Sequence, residues 1–379
     1  MKLFRGKGKE VYLLLISIFF GIIFFIIFFE IYFSLRFGMD KLTQFDPELG
    51  WVNIPNAKIN DDRGTTYTTN SLGYRGGEVD KSKKHIVLVG DSIIYGSGVN
   101  DSETLANNLD KKIKDYQVIN LGVGGYGIGQ YYLRLKKEIN RLNPILIIVN
   151  IYEGNDLGET LSGSSYGYEK PLFYIKKENL KKKEVGANFV NHSNLKLLKT
   201  KIAKSSCTNI FSKSWILRHS IFSSYRKKFC DINTTPISEG DYLITALLMK
   251  FSLLARKHNA KLIFTLSPTR ADYNYNIKTP ENFGVYRFLK FFSNEKTIKP
   301  EDYSVMARIS FRRIFNNFKI RYGFLYQFKF YDFFDYLKNK KIDQDDVFLN
   351  YDVGHPSASG NKFMAEFIYG KLKSNNAIP

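Results

Sequence analysis

Short apolar runs recur along the chain after residue 84, and each is followed by a polar or glycine-rich segment. Residues 85–89, 117–120, 145–152 and 261–266 are rich in Val, Ile and Leu and carry few charges. Runs of this length without strict alternation indicate strands that are buried on both faces, as in parallel sheets. A fifth strand is predicted near 330–334, where the pattern is weaker.

Amphipathic segments with a helical period separate these strands. The clearest are 103–113, 130–140 and 242–258, in which apolar residues recur every three or four positions. Strands and helices that alternate in this way, joined by right-handed crossovers, predict an α/β fold. The expected architecture is a three-layer α/β/α sandwich on a mostly parallel sheet.

The N-terminus has a different pattern. Residues 11–29 are apolar on every face and carry no charge, which is long enough to cross a bilayer at about 1.5 Å per residue. A basic tail, 1–10, precedes an expected transmembrane anchor at 11–33. Positive charge before the helix predicts a cytoplasmic N-terminus, with the rest of the chain periplasmic or at the cell surface. A cleaved signal peptide is the alternative, but its apolar region is usually shorter.

The remaining chain divides into a turn-rich lead-in, 34–83, and one large domain, 84–373. That domain has two expected insertions, at about 157–239 and 271–300, which both follow strand ends and should overhang the site. The first is rich in Lys and contributes much of the net charge of +20. A basic rim could bind an acidic glycan or an anionic lipid surface. The equally good alternative is that the Lys residues only keep this surface hydrated. No nucleic-acid-binding motif is present.

The residues at the predicted strand ends supply the groups needed for acyl transfer. Ser92 lies just after the first strand, the glycine-rich loop 121–129 follows the second, and Asn155 lies just after the third. A hydroxyl, a run of backbone donors and an amide would thus share one edge of the sheet. Near the C-terminus, Asp352 and His355 have the spacing of a base and the carboxylate that orients it.

In these segments the chain resembles the SGNH (GDSL-like) hydrolase superfamily, in a membrane-anchored form. The similar blocks are 90–96, 118–125, 154–156 and 352–356, and they occur in the family's order. The resemblance covers about 84–373 and implies a flavodoxin-like sheet. One departure is Glu153, where the family usually has glycine. A carboxylate at this position is expected to repel anionic acyl groups.

The resemblance also implies a role for each matching residue. Ser92 would be the nucleophile, His355 the general base and Asp352 the residue that orients the imidazole. The N–H groups of Ser92 and Gly125, with the Asn155 amide, would form the oxyanion hole. The neighbouring Gly124 is the alternative to Gly125 as the glycine whose N–H binds the oxyanion.

The expected function is a serine esterase that removes an O-acyl group, such as acetyl, from an extracytoplasmic glycan or lipid. An O-acyltransferase that modifies a cell-envelope polysaccharide uses the same serine and stays an alternative. A non-catalytic glycan-binding or assembly protein with this fold is a third. We expect no cofactor, no metal ion and no nucleic acid, and the sequence does not indicate an oligomeric state.

Two other motifs compete with this interpretation. Residues 163–167 fit the G-x-S-x-G nucleophile elbow, but no strand precedes them as that motif requires. Gly122, Gly124 and Gly127 fit a dinucleotide-binding fingerprint, with Glu153 as the ribose-binding acid. That fingerprint normally follows the first strand of its domain, and here it follows the second.

The two cysteines, Cys207 and Cys230, both fall in the first insertion. In an oxidising compartment they either form a disulfide, worth roughly 3 kcal/mol in the chain-entropy model, or remain two free thiols. The few scattered histidines other than His355 have no partners at a useful metal-binding spacing, and we expect structural roles for them.

Overall fold

The computed structural model describes residues 4–37, 42–165, 168–176, 179–183, 240–274, 300–352 and 354–378. Its strands, in chain order, are β1 Thr43–Asp46, β2 Gly50–Asn53, β3 Lys58–Asn60, β4 Thr66–Thr68, β5 Lys84–Val89, β6 Tyr116–Asn120, β7 Leu146–Tyr152, β8 Ser164–Ser165, β9 Tyr168–Glu169, β10 Leu172–Lys176, β11 Asn179–Lys183, β12 Lys261–Ser267 and β13 Lys329–Asp332. Its helices are α1 Phe4–Phe37, α2 Ser92–Tyr95, α3 Leu105–Asp110, α4 Ile128–Leu142, α5 Asp156–Leu161, α6 Gly240–Lys257, α7 Ala271–Asn274, α8 Pro300–Tyr322, α9 Phe333–Lys340, α10 Gln344–Val347 and α11 Ala358–Ser374.

The central sheet contains five parallel strands in the order β13–β12–β7–β5–β6. This is a flavodoxin-like order, in which the direction of winding reverses between β5 and β7. The carboxyl ends of these two strands border the crevice where open α/β sheets bind ligands. Every residue of β7 is buried, which explains its long apolar run. The predicted α/β fold class is therefore confirmed.

Helices cover the sheet on both faces and form two hydrophobic cores. On one face, α4, α6 and α8 contribute side chains such as Leu135, Leu247 and Phe315. On the other face, α3 and α11 contribute Leu109 and Met364. These are the apolar positions of amphipathic helices, whose polar sides remain in solvent. The result is the three-layer sandwich expected from the alternation of strands and helices.

Two predicted element boundaries were wrong because capping residues override the apolar pattern. The fifth strand was expected at 330–334, but the Asp332 carboxylate accepts the Phe334 N–H at 2.9 Å and starts helix α9. The helix expected from residue 103 starts later, because the Thr104 hydroxyl accepts the Asn107 N–H and caps α3. In both cases a short polar side chain satisfies a helix N–H and sets where the helix begins.

The lead-in contains two antiparallel hairpins that its turn-rich composition does not reveal. Strand β1 pairs with β2, and β3 pairs with β4. Trp51 and Tyr74 from this segment are buried in the same core as α4. The lead-in therefore packs against the α/β domain over much of its length.

Helix α1 contains the N-terminal apolar segment. Its stretch Glu10–Phe29 has 20 residues with a mean hydropathy of 3.0, and none of it is buried in the protein. A helix of this length and composition can cross a bilayer. A signal sequence near an N-terminus has the same features, so α1 fits either a membrane span or a signal sequence.

Only parts of the two predicted insertions fall within the described residues. The first begins after β7 with α5 and the antiparallel hairpins β8–β9 and β10–β11. The second begins after β12 with α7. Cys207 and Cys230, with the predicted choice between a disulfide and two thiols, lie outside the described residues.

Candidate active site

Ser92 lies in a tight turn at the carboxyl end of β5. The Asp91 carboxylate caps the short helix α2 by accepting the Ile93 N–H at 2.9 Å. The turn requires Gly90, because an ideal Cβ at this position would lie 2.4 Å from the Ile94 side chain. Strand β5, the Asp91 cap and the packing of Ile94 against Gly90 together place Ser92 at the ligand-binding edge of the sheet.

The C-terminal segment brings His355 to Ser92 across 263 positions of the sequence. His355 Nε2 lies 2.8 Å from Ser92 Oγ, and His355 Nδ1 lies 2.7 Å from Asp352 Oδ2. The Asp352 bond favours a proton on Nδ1, so that Nε2 presents its lone pair to the hydroxyl. Asp352 Oδ1 also accepts the N–H groups of Gly354 and His355, at 2.8 and 3.0 Å. The turn therefore holds this carboxylate in place.

The charged forms of His355 and Asp352 stabilise each other. Burial alone would lower the pKa of His355, but the hydrogen bond and charge of Asp352 outweigh it and raise the pKa. Burial alone would raise the pKa of Asp352, yet the His355 bond holds it well below its usual range. Asp352 is therefore ionised at neutral pH, and His355 has a higher proton affinity than a free imidazole.

Asp91 is a second carboxylate at the site, and it is fully buried. Its Oδ2 lies 3.4 Å from Ser92 Oγ, and the Asn155 side chain also hydrogen bonds to it. Burial raises the pKa of Asp91, although these bonds and the charge of His355 oppose the shift. Because His355 is nearer to the hydroxyl oxygen than Asp91 is, the Ser92 proton belongs in the bond to His355. From the sequence, Asp91 is recognisable only as part of a turn.

Two of the backbone donors expected for an oxyanion come from separate turns. The Ser92 N–H lies at the N-terminus of α2. Gly125, with a φ of 75°, lies in the loop between β6 and α4. Within the part of the chain that the structure describes, neither N–H has an acceptor. Both are therefore available to a ligand.

Asn155 is the N-cap residue of α5, three positions after the end of β7. Its side chain makes no capping hydrogen bond to that helix. Instead it bonds to the Asp91 carboxylate beside Ser92. Among the described residues, the buried Oδ1 of Asn155 has no hydrogen-bond partner. The Asn155 amide therefore contacts the turn that carries Ser92 and does not cap its own helix.

Arg270 holds the loop that carries Asp352, and the sequence did not reveal this role. Its Nε donates to the Asp352 carbonyl at 3.2 Å, and its other nitrogens reach the carbonyls of Phe348 and Leu349 and the carboxylate of Asp345. The one available signal was the position of Arg270 just after β12, which is another strand end.

Tyr152 fills a slot between two glycines beside His355. An ideal Cβ at Gly354 would lie 1.7 Å from the Tyr152 hydroxyl oxygen, and one at Gly154 would lie 2.4 Å from the ring. The Tyr152 and His355 rings are 6.4 Å apart between centroids. The packing of Tyr152, the last residue of β7, therefore fixes how far the loop that carries Asp352 and His355 (the histidine loop) lies from the sheet.

Glu153, whose carboxylate was expected to repel anionic acyl groups, is fully buried. Its Oε1 accepts the Thr269 N–H at 3.1 Å, so its side chain faces the turn after β12. This position also argues against a ribose-binding role in a dinucleotide site. The supposed fingerprint loop packs against the protein itself, because a Cβ at Gly122 would lie 2.2 Å from the Tyr95 nitrogen.

The G-x-S-x-G motif does not form a nucleophile elbow. Ser164 and Ser165 form the short strand β8, which follows helix α5 and pairs with β9. An elbow needs a strand before the serine and a helix after it. The Ser165 hydroxyl donates to Glu159 at 2.8 Å, a structural contact.

Outside the site, the His85 ring has structural contacts. The His85 ring lies 2.6 Å from the Leu142 carbonyl and 2.9 Å from that of Asp80. Among the described residues, no group of three or more His, Cys, Asp and Glu side chains is placed to hold a metal ion.

No protein-family model matches the sequence, and no curated protein matches it. Several solved structures are similar to this chain. A GDSL-like lipase from Bacteroides thetaiotaomicron is 13% identical, with a TM-score of 0.38 over 79% of this chain and 93% of the lipase. A lipolytic G-D-S-L family member from Veillonella parvula is 12% identical, with a TM-score of 0.39 over 76% of this chain and 98% of that protein. The esterase EstA from Pseudoalteromonas is 15% identical, with a TM-score of 0.36 over 78% of this chain and all of the esterase, 100%.

Proposed function

We propose that this chain is an SGNH-type serine hydrolase that cleaves an O-acyl ester on an extracytoplasmic glycan or lipid. The observation that carries the proposal is the continuous line of contacts from Asp352 through His355 to Ser92, at 2.7 and 2.8 Å. A carboxylate, an imidazole and a hydroxyl in this order allow a proton to leave the serine as its oxygen attacks.

In the first half of the reaction, Ser92 Oγ attacks the carbonyl carbon of the ester while His355 Nε2 accepts the hydroxyl proton. The carbonyl oxygen becomes an oxyanion, bound by the N–H groups of Ser92 and Gly125 and by the Asn155 amide. Loss of one such donor typically costs roughly 2.7–4 kcal/mol of barrier. The intermediate then collapses, and the alcohol leaves with the proton from His355. An acyl-serine remains.

In the second half, water replaces the alcohol. His355 removes a proton from the water, whose oxygen attacks the acyl carbon, and the same donors bind the second oxyanion. Collapse releases the acid and returns the proton to Ser92 Oγ. Asp352 stays ionised throughout and balances the charge of the imidazolium.

The proposed location and substrate follow from the N-terminal helix and the charge of the chain. Helix α1 contains a stretch with the length and hydropathy of a membrane span, and the basic residues before that stretch favour a cytoplasmic N-terminus. A net charge of +20 favours anionic partners such as acidic glycans or lipid head groups. The ester bond would therefore lie on an envelope polymer or lipid.

The direct test is ester turnover by the full-length chain in detergent, with p-nitrophenyl acetate as substrate. Ser92→Ala and His355→Ala should each lower kcat by about 10³-fold or more, and the double variant should be no slower than either single variant. Ser165→Ala, at the serine of the G-x-S-x-G motif that forms no elbow, is the matched control and should keep the wild-type rate. A wild-type rate in Ser92→Ala would exclude this nucleophile. Faster turnover with an added sugar, and an acylated sugar as product, would identify a transferase.

A further inference from the structure

The indole ring of Trp51, on β2, is fully buried against the glycine-rich loop. Its Nε1–H donates to the Gly124 carbonyl oxygen at 3.0 Å. The Tyr126 hydroxyl in turn donates to the Trp51 carbonyl, and the two rings meet edge to face with centroids 5.8 Å apart. Trp51 therefore contacts the loop on both sides of Gly125.

The bond to Gly124 also determines the direction of the next N–H. The Gly124 carbonyl and the Gly125 N–H belong to one planar trans peptide, so they point in opposite directions. With the carbonyl held by Trp51, the Gly125 N–H must point away from the lead-in. The positive φ of Gly125, 75°, is tolerated because glycine has no side chain. In the described part of the chain this N–H has no acceptor.

Asn53 binds the same loop two residues before Gly124. Its Nδ2 donates to the Gly122 carbonyl at 3.0 Å. Asn53 lies two residues beyond Trp51 on β2, so both side chains leave the same face of the strand. On the other side of the loop, the Val123 N–H donates to the Gly90 carbonyl at 3.2 Å. The loop is therefore clamped between the lead-in and the Ser92 turn.

The lead-in also holds the turn that follows Ser92. The buried Arg75 donates to the carbonyls of Tyr95, Gly96 and Val99, at 3.0, 2.7 and 2.7 Å. It also pairs with Asp101 at 2.7 Å. A guanidinium with these partners fixes the last turn of α2, which needs donors for its free carbonyls. One segment therefore fixes both the nucleophile turn and the glycine loop.

We propose that Trp51 is a positioning residue for ester cleavage: its bond to Gly124 aims the Gly125 N–H at the oxyanion that forms beside Ser92. This inference rests on the proposed function and deepens it. It makes the described part of the lead-in after α1, 42–83, part of the active site and more than a spacer between the N-terminal helix and the α/β domain.

Trp51→Phe is the informative variant, because it keeps an aromatic ring and removes the N–H donor. The full-length chain in detergent is assayed with an aryl acetate and with its thionoacetate analogue, in which sulfur replaces the carbonyl oxygen. Sulfur is a weak acceptor, so the rate on the acetate divided by the rate on the thionoacetate reports hydrogen bonding to the oxyanion. We expect kcat on the acetate to fall roughly 10- to 100-fold, less than for a lost donor. KM should change little, and the rate ratio should fall with kcat.

Val52→Ala, from the opposite face of β2, is the control and should keep the wild-type ratio. A folded Trp51→Phe protein with an unchanged ratio overturns the proposal. If Trp51→Phe does not fold, Tyr126→Phe replaces it. This change removes the other hydrogen bond between Trp51 and the loop, from the Tyr126 hydroxyl to the Trp51 carbonyl, and should lower the ratio by a smaller factor. An unchanged ratio in that variant also overturns the proposal. By contrast, no ester turnover in the wild type, or a wild-type rate in Ser92→Ala, refutes the proposed function itself.

Discussion

At the scale of single residues, His355 lies between two carboxylates with different surroundings. Asp352 is about a quarter exposed, at 27%, and is held ionised first by its bond to the His355 ring and then by the N–H groups of its own turn. Asp91 is fully buried, and burial raises its pKa. The charges of both residues raise the pKa of His355, while burial lowers it. The His355 imidazole therefore holds its proton more tightly than a free imidazole does.

This shift predicts the pH dependence of the reaction. In the proposed reaction, attack by Ser92 needs neutral His355, so kcat/KM should rise with pH through the pKa of His355 and then level off. Because that pKa is raised, the midpoint should lie above about 6.5. Asp352→Asn removes the charge that raises it, so the pKa should fall, and kcat should drop by on the order of 10⁴-fold. An NMR titration of the His355 ring in both proteins measures the shift, and equal pKa values would contradict the assignment.

Asn155 supports a second prediction at this scale. Its amide should bond mainly to the developing oxyanion, so Asn155→Ala should lower kcat by roughly 10²–10³-fold with KM little changed. Asn155→Asp should be at least as damaging, since it adds a carboxylate beside Asp91. The thermal midpoint and kcat are measured on the same preparation. A variant that melts early but turns over normally when folded would remove Asn155 from the site.

At the scale of elements, turns at the ends of strands bring the site together. Ser92 follows β5, Asn155 follows β7 and Arg270 follows β12. The histidine loop lies over β7, where Tyr152 fits below Gly354. Contacts of this kind are rigid, because a buried ring has no space to move away from an added methyl group. Small changes at these turns should therefore displace Ser92, Asn155 and His355.

Gly354→Ala tests this packing. The added Cβ would lie 1.7 Å from the Tyr152 hydroxyl oxygen, so the loop carrying His355 must shift. A displacement of about 1 Å can cost about 10²-fold in rate, and we expect a loss of kcat of that order. Tyr152→Phe in the same protein removes the nearest atom and should restore part of the rate. Gly370→Ala is the control, because no atom lies within 4 Å of its added Cβ. Unchanged kcat in Gly354→Ala would show that the loop tolerates the shift.

At the scale of the whole molecule, an apolar N-terminal helix is joined to a basic α/β domain. Residues 10–29 have a mean hydropathy of 3.0, whereas the complete chain carries a net charge of +20. Basic residues before this apolar stretch favour retention of the N-terminus in the cytoplasm. The domain would then work in the compartment where envelope glycans and outer-leaflet lipids are found.

The predicted topology can be tested with reporters fused after Pro379. A reporter that is active only outside the cytoplasm should work, and one that is active only in the cytoplasm should be silent. Deleting 4–37 should reverse the pattern, because the apolar helix is then missing. The opposite pattern in the full-length fusion would contradict the proposed location.

The strand ends and their order along the chain are readable from the sequence because their signals are local. Residues 85–89 and 145–152 are apolar runs that only a covered sheet can bury, and each ends in a small polar group. Asp352 and His355 share one turn, so their spacing already implies contact. Element boundaries were less predictable, since the cap at Asp332 overrides the apolar residues that follow it.

The sequence by itself thus determined the fold class, the apolar N-terminal helix and the candidates Ser92, Asn155 and His355. Tertiary structure decided how they meet: the contact between Ser92 and His355 spans 263 positions and depends on strand order. It also decided the burial of Asp91 and the anchoring of the glycine loop by Trp51. The physical reason is that a hydrogen bond between distant segments leaves no periodic pattern in either of them. Its partners become neighbours only after the hydrophobic layers have packed.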